Sequence, residues 1–84
     1  MNEINSDEYG LLIYPNPVNS EFNVQSSKSM DEIHIVDIAG RELYRTTKVQ
    51  SSKFKVQSLD LSPGIYFLNV VVDGKRVTRK LVKL

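Results

Sequence analysis

Residues 65–83, IYFLNVVVDGKRVTRKLVK, decide the fold of this chain. The residues on both sides of Asp73-Gly74 have the apolar and β-branched character and the two-residue period of partly buried strands. Asp-Gly is a preferred pair for a two-residue type I′ hairpin, because both central residues need a positive φ. The stretch therefore predicts antiparallel strands at about 65–72 and 76–83, joined by a tight turn.

The same two-residue period continues outward along the chain, and no segment keeps a helical period over ten residues. Further strands are predicted at about 11–14, 20–25, 32–37, 41–46 and 53–57. Ala39-Gly40 suits a tight hairpin turn with a positive φ at Gly40, and Ser62-Pro63-Gly64 fits a type II turn. Short strands at this spacing predict an all-β fold, a seven-stranded antiparallel immunoglobulin-like β-sandwich.

The strand pattern also predicts which side chains face the core. The lone histidine, His34, is expected on the solvent face between Ile33 and Ile35. The alternation fails where Leu81 and Val82 are both apolar, which indicates either a bulge or a strand covered on both faces. The predicted inward set is Ile13, Phe22, Val24, Ile33, Ile35, Leu43, Phe54, Val56, Leu59, Leu61, Tyr66, Leu68 and Val70.

The stretch YPNPVNSEFNV, residues 14–24, places two prolines directly before an alternating segment. Proline has a fixed φ and no N–H for a ladder, so Pro15 and Pro17 are not expected inside a sheet. We interpret them as holding a polyproline-like connection that stays off the sheet edge. In that position they would also prevent another chain from pairing there.

Composition indicates one small domain, with residues 1–10 as a flexible linker and residues 11–84 as the folded part. No apolar run is long enough for a membrane helix, and residues 1–14 lack the pattern of a signal peptide. A net charge of +1 argues against nucleic acid as the main partner. The charges are unevenly placed, since residues 75–84 carry several bases and no acid. A solvated edge strand and a binding site both explain that basic end.

The sequence contains few groups that could carry out catalysis. With one histidine and no cysteine, a nucleophilic dyad or a zinc site has almost no residues to use. Asp31, Glu32 and Asp37 flank one predicted strand and are expected to be solvated. Asp31 and Glu32 with Asp60 lack the spacing of an EF-hand loop. We therefore expect no enzyme activity, no cofactor and no metal site.

Several motifs, taken in order, resemble a known family. YPNP at residues 14–17, EFNV, IHIVDIAGRE, LDLSPGIYFLNV and the basic close RKLVK at 79–83 are similar to the type A C-terminal sorting domain of the type IX (Por) secretion system. The resemblance covers about residues 12–83. It implies that the translocon recognises three motif regions, formed by Pro15, Asn16, Pro17, Gly64, Tyr66, Lys80, Val82 and Lys83. Leu84 departs from the pattern, because members usually end within about a residue of the lysine.

The resemblance implies a secretion signal fused to an N-terminal cargo protein of a Gram-negative bacterium. The cargo would cross the periplasm and reach the cell surface or the medium through an outer-membrane translocon and its shuttle proteins. A sortase-like cysteine protease would then remove the domain during surface attachment. The domain itself would insert into no membrane. The alternative is a carbohydrate-binding or adhesive β-sandwich module, although such modules usually show exposed aromatic platforms.

Overall fold

The computed structural model describes residues 9–57 and 60–84. Its strands are β1 (Leu12–Tyr14), β2 (Phe22–Val36), β3 (Glu42–Val56), β4 (Gly64–Val72) and β5 (Lys75–Lys83). All neighbouring strands pair antiparallel. One edge of β2 pairs with β1 over its first half and with β4 over its second half, and β5 pairs with β4. The other edge of β2 pairs with β3. No residue of the described ranges is helical. The all-β, antiparallel class is confirmed, whereas the predicted strand count is wrong.

The structure has five strands and not seven, because two pairs of predicted strands are continuous. The segments at 20–25 and 32–37 both belong to β2, and those at 41–46 and 53–57 both belong to β3. The residues between them contain no glycine or proline that would end a ladder. Instead the β2–β3 register shifts between Gln25 and Met30, and Lys48 and Gln50 adopt φ values of 56° and 48°. Bulges therefore absorb the irregularity that suggested separate strands.

Two of the predicted turns are confirmed and one is wrong. Asp73 and Gly74 have φ values of 56° and 78°, as a type I′ hairpin requires. The second hairpin turns at residues 37–40, where Gly40 has a φ of 89° and donates its N–H to the Asp37 carbonyl at 2.9 Å. Gly64 instead has a φ of 154°, far from the +80° of a type II turn. It is already the first residue of β4 and pairs with Lys83.

One hydrophobic cluster contains most of the predicted inward residues. Leu43 is the exception, with 43% of its surface exposed. It lies where the β2–β3 register shifts between Ile35 and Val36, so alternation no longer predicts its face. Leu59 lies outside the described residues. The confirmed buried residues are Phe22, Val24, Ile33, Ile35, Val56, Tyr66, Leu68 and Val70, while Ile13, Phe54 and Leu61 pack partly buried against them.

The prediction of a solvent-facing His34 is also wrong, since only 6% of this residue is exposed. β2 is an interior strand, and His34 lies between Arg45 of β3 and Asn69 of β4. Neighbouring side chains therefore cover the face that the sequence pattern assigned to water. The ring Nε2 lies 2.8 Å from Oε1 of Glu32, so the buried imidazole has a polar partner.

The folded part includes residues close to the predicted linker boundary. Tyr9 and Leu11 are both buried, and the Tyr9 carbonyl accepts a 2.7 Å hydrogen bond from the Ser27 N–H. Residues 1–8 lie outside the described ranges, so the boundary at residue 10 stays a prediction. Among the described residues, Tyr9 already packs in the core, although it lies within the predicted linker.

The β4–β5 register runs without a shift from Val72↔Lys75 to Gly64↔Lys83. The suggested bulge at Leu81 and Val82 is therefore absent from this pair. Leu81 is buried on the core side, and Val82 is half-buried on the opposite side. We call that opposite side the outer face. At this end of the sheet it carries Val36, Ile65, Phe67, Lys80 and Val82.

Candidate functional site

The structure brings the three predicted motif regions together at the C-terminal end of β5. Gly64 and Tyr66 of β4 pair with Lys83 and Leu81 of β5. The proline-containing segment reaches the same end from the other side, through a parallel bridge between Val18 and Lys83. Residues far apart in the sequence thus form one continuous region of the surface.

Asn16 holds this end of β5 through its side chain. Its Nδ2 donates a hydrogen bond to the Lys80 carbonyl at 3.2 Å, and its Oδ1 accepts one from the Val82 N–H at 3.1 Å. A side-chain carboxamide has the donor and acceptor of a peptide group. Asn16 therefore replaces a peptide unit of a neighbouring strand on the outside edge of β5.

Val18 continues this pairing by one more step along β5. Its N–H donates to the Val82 carbonyl at 2.7 Å, and its carbonyl accepts from the Leu84 N–H at 2.9 Å. Val18 is also fully buried in the hydrophobic cluster. Residues 16–18 consequently cover the edge of β5 over its last residues.

The predicted role of the two prolines needs correction. The chain bends at residues 15–17, and the Tyr14–Pro15 and Asn16–Pro17 peptide bonds are cis. The segment contacts the edge of β5 and does not stay off it. The prolines have no N–H to donate, but Val18 supplies one and the Asn16 side chain supplies another. The proline backbone alone gives no sign of either group, so the sequence did not predict this contact.

Gly64 and Tyr66 shape the β4 side of this region. Only 8% of Tyr66 is exposed, and its hydroxyl donates a 2.6 Å hydrogen bond to the Ser62 carbonyl. A Cβ added at Gly64 would meet no atom within 4 Å, so space does not explain the glycine. Its φ of 154° does, because L residues rarely adopt that value. Both residues therefore have structural roles in the described fold.

The three predicted residues of the terminal strand do not share one face. Lys80 is exposed and Val82 is half-buried, and both lie on the outer face. Lys83 lies on the opposite face, where its Nζ donates to the Leu84 carbonyl at 3.1 Å. A partner that binds one face of the sheet would contact Lys80 and Lys83 differently.

Two acidic groups of the hairpin between β2 and β3 have internal partners. Asp37 accepts hydrogen bonds from the Ala39 N–H, the Arg41 N–H and the Arg41 Nε, so it is not the solvated carboxylate that the sequence suggested. The bond from the Arg41 N–H is the main cause of its lowered pKa. Side-chain hydrogen bonds from Arg45 likewise lower the pKa of Glu42.

The basic residues of β5 differ from these acids. Within the described part of the chain, none of the ion pairs involves Lys75, Arg76, Lys80 or Lys83. Lys28, Arg41, Arg45 and Lys55, by contrast, each lie within 4.0 Å of a carboxylate. Of these four, Lys80 and Lys83 lie at the end that contains the motifs, and their charges have no ion-pair partner among the described residues.

A hollow of about 280 Å³ lies elsewhere, beside the bulge in β3. Its lining residues are Asp31, Glu32, Thr47, Lys48 and Gln50. Across residues 9–57 and 60–84, no three His, Asp or Glu side chains are placed to hold a metal ion. Over the same residues no helix is long and apolar enough to cross a membrane.

Comparisons with known proteins place these observations in context. The family model described as "Secretion system C-terminal sorting domain" matches residues 12–84. A comparison with curated proteins found no match. Among solved structures, the chain is similar to PorZ of Porphyromonas gingivalis, with a TM-score of 0.71 and 21% sequence identity. The similarity covers 89% of this chain but 11% of PorZ, which is described as an essential bacterial surface component of the type IX secretion system. At this identity it shows the fold alone.

Proposed function

Because the chain belongs to the family of type IX secretion C-terminal sorting domains, we propose that it directs an N-terminally fused cargo protein to an outer-membrane translocon. The matching family is described as a sorting domain, and it is not a family of catalysts. Membership implies a signal for export to the cell surface or the medium, read by the secretion machinery. Recognition of this domain by the translocon and its shuttle proteins is part of the proposal.

One observation supports this proposal above the others. The motif residues Pro15, Asn16, Pro17, Gly64, Tyr66, Lys80, Val82 and Lys83 meet at one end of the folded sheet. A folded surface built from three distant segments exists only when the domain is complete. Recognition of such a surface would let the translocon accept folded domains and ignore unfolded chains.

We further propose that the domain passes through the periplasm and is then removed by a sortase-like cysteine protease during surface attachment. The sequence predicts a cut within or near residues 1–11. Tyr9 and Leu11 are buried, so a cut that leaves the fold intact belongs before Tyr9. Mass spectrometry of the released domain should show an N-terminus there or further upstream. A cut beyond Val24 would contradict this step.

The immunoglobulin-like sandwich is likewise a proposal that the packing supports. The first half of β2 pairs with β1 and β3, whereas its second half pairs with β3 and β4. Side chains from both halves, such as Phe22 and Leu68, belong to one hydrophobic cluster. Two halves of a bent sheet that share a core resemble the two layers of a sandwich.

The alternative, a carbohydrate-binding or adhesive module, gains no support from the aromatic residues. Tyr9 and Tyr66 are buried and Tyr44 is half-buried. Tyr14 is exposed but lies on the short β1 strand, where its hydroxyl donates to Oε1 of Gln25 at 3.2 Å. These residues do not form the exposed aromatic platform that such modules usually show.

A reporter fusion tests the proposed function directly. Residues 9–84 are fused to the C-terminus of a periplasmic reporter in a host that has a type IX secretion system. We expect the reporter at the cell surface or in the medium, while the reporter without the domain stays in the periplasm. Protease resistance of the fused domain verifies that it is folded. Periplasmic retention of a folded fusion would contradict the proposal.

A further inference from the structure

We propose that the outer face of β4 and β5 docks onto a protein surface of the secretion machinery that is apolar at its centre and acidic at its rim. Ile65, Phe67 and Val82 would form the apolar contact, and Lys80 the charged one. This inference rests on the proposed function and adds to it the face that is recognised and the chemistry of the partner.

The apolar residues of the outer face lie side by side. Ile65 pairs with Val82, and Phe67 pairs with both Val36 and Lys80. Side chains paired across antiparallel strands stand about 4.5–5.5 Å apart at Cβ, so these residues are close neighbours on one face. Ile65 keeps 47% of its surface exposed, and its apolar neighbours are only partly buried. They form a partly exposed apolar patch with Ile65 as its most exposed member.

The patch has a polar boundary on the outer face. The next row of paired residues is His34, Asn69 and Thr78. Within it the Thr78 hydroxyl donates to Oδ1 of Asn69 at 2.6 Å. An apolar centre with a polar rim is the usual composition of a protein–protein contact.

The charges around the patch indicate an acidic partner. Glu42 pairs with Val36, which Asp37 follows in the sequence, and these two acids are bound to Arg45 and Arg41. Lys80 is exposed and forms no ion pair with the described residues. The charge left for a partner is therefore positive, and a complementary surface carries carboxylates at its rim.

The closed edge of β5 determines how such a partner can bind. Asn16 and Val18 occupy the outward backbone groups of Lys80, Val82 and Leu84. A partner strand therefore cannot add to this part of the edge. Contact through side chains of the outer face remains, and it includes Lys80 but not Lys83.

Two matched pairs of variants test this inference in the reporter fusion. Ile65→Thr removes apolar surface from the patch, and Leu12→Thr makes the same type of change at a residue 54% exposed on β1. Lys80→Gln and Lys75→Gln each remove one exposed charge, from opposite faces of β5, and Lys75 lies outside the motif regions. Contact residues at the centre of an interface typically account for a tenfold change or more. We expect Ile65→Thr to lower export about tenfold, Lys80→Gln at the rim to lower it by a smaller factor, and both controls to stay near the parent.

The comparison uses variants whose thermal melting matches that of the parent, so that a loss of export does not come from unfolding. Normal export of the folded Ile65→Thr variant would overturn the docking face, while failure of the parent fusion would overturn the proposed function instead. Equal losses of export from Lys80→Gln and Lys75→Gln would also overturn the docking face. Analytical ultracentrifugation of the parent checks whether a second copy covers the patch, and vesicles of anionic phospholipid check for a membrane. Dimers that depend on Ile65, or vesicle binding that depends on Lys80, would overturn the proposal that the patch docks onto the secretion machinery.

Discussion

The two ends of β5 are held in different ways. At the hairpin end, the strand follows directly from β4 through Asp73-Gly74, so its position depends on neighbouring residues alone. At the C-terminal end, the strand is held by Asn16 and Val18, more than sixty residues earlier in the sequence. The hairpin end is therefore determined locally, whereas the C-terminal end requires the complete fold. A recognition site at the C-terminal end would therefore form only in the folded domain, whereas a site at the hairpin end would need only local structure.

The largest effect on the C-terminal end should come from Tyr66→Ala. The change removes a buried ring beside Leu81 and should destabilise the domain by about 3–4 kcal/mol. A small domain has only about 5 kcal/mol in total, so the variant should melt at a much lower temperature. Tyr66→Phe is the matched control, because it loses only the hydrogen bond to Ser62, worth about 1 kcal/mol. Equal melting of the Ala variant and the parent would contradict the assigned core position.

The next effect concerns the glycine that begins β4 opposite Lys83. Gly64→Ala introduces a Cβ that meets no atom but forces an alanine to a φ of 154°. Such backbone strain costs about 1–3 kcal/mol, which chemical denaturation can measure. Ser62→Ala is a suitable control, since it keeps the carbonyl that Tyr66 uses. A Gly64→Ala variant as stable as the parent would show that the strand start relaxes without cost.

A smaller effect is expected from Asn16, and it should be confined to one end of β5. Asn16→Ala removes two side-chain hydrogen bonds at an exposed position, which should lower the free energy of unfolding by about 1 kcal/mol. Amide hydrogen exchange should accelerate at Val82 and stay unchanged at Val77, near the hairpin. Asn19→Ala, another exposed asparagine of the same segment, is the control. Uniform acceleration along β5 would contradict the local role of Asn16.

The contrast between the two ends also explains what the sequence could predict. Asp73-Gly74 and the alternation around it predicted the hairpin, because φ preferences and a two-residue period are local properties. The hydrogen bonds between the Asn16 side chain and β5 could not be predicted, because a carboxamide that pairs with a distant backbone leaves no periodic pattern in the sequence. The prediction that His34 is exposed was wrong for a related reason. Alternation indicates the face of the sheet on which a side chain lies, but not whether neighbouring residues cover that face. The motif resemblance found the region of the site, and only the pairing of β4 with β5 separates Lys80 from Lys83.

The smallest effect involves the hairpin between β2 and β3 and depends on pH. Hydrogen bonds from the Arg41 N–H, together with its side chain, lower the pKa of Asp37 in the folded state. A lowered folded pKa means that the contribution to stability is complete above the unfolded value, about 3.9, and is lost as the pH falls through the folded value. Asp37→Asn should therefore melt below the parent at pH 7, and the difference should shrink below about pH 4. Arg41 is largely exposed, so its ion pair with Asp37 contributes little and the difference at pH 7 should be small. A difference that grows on acidification would reverse the sign and contradict the assigned hydrogen bonds.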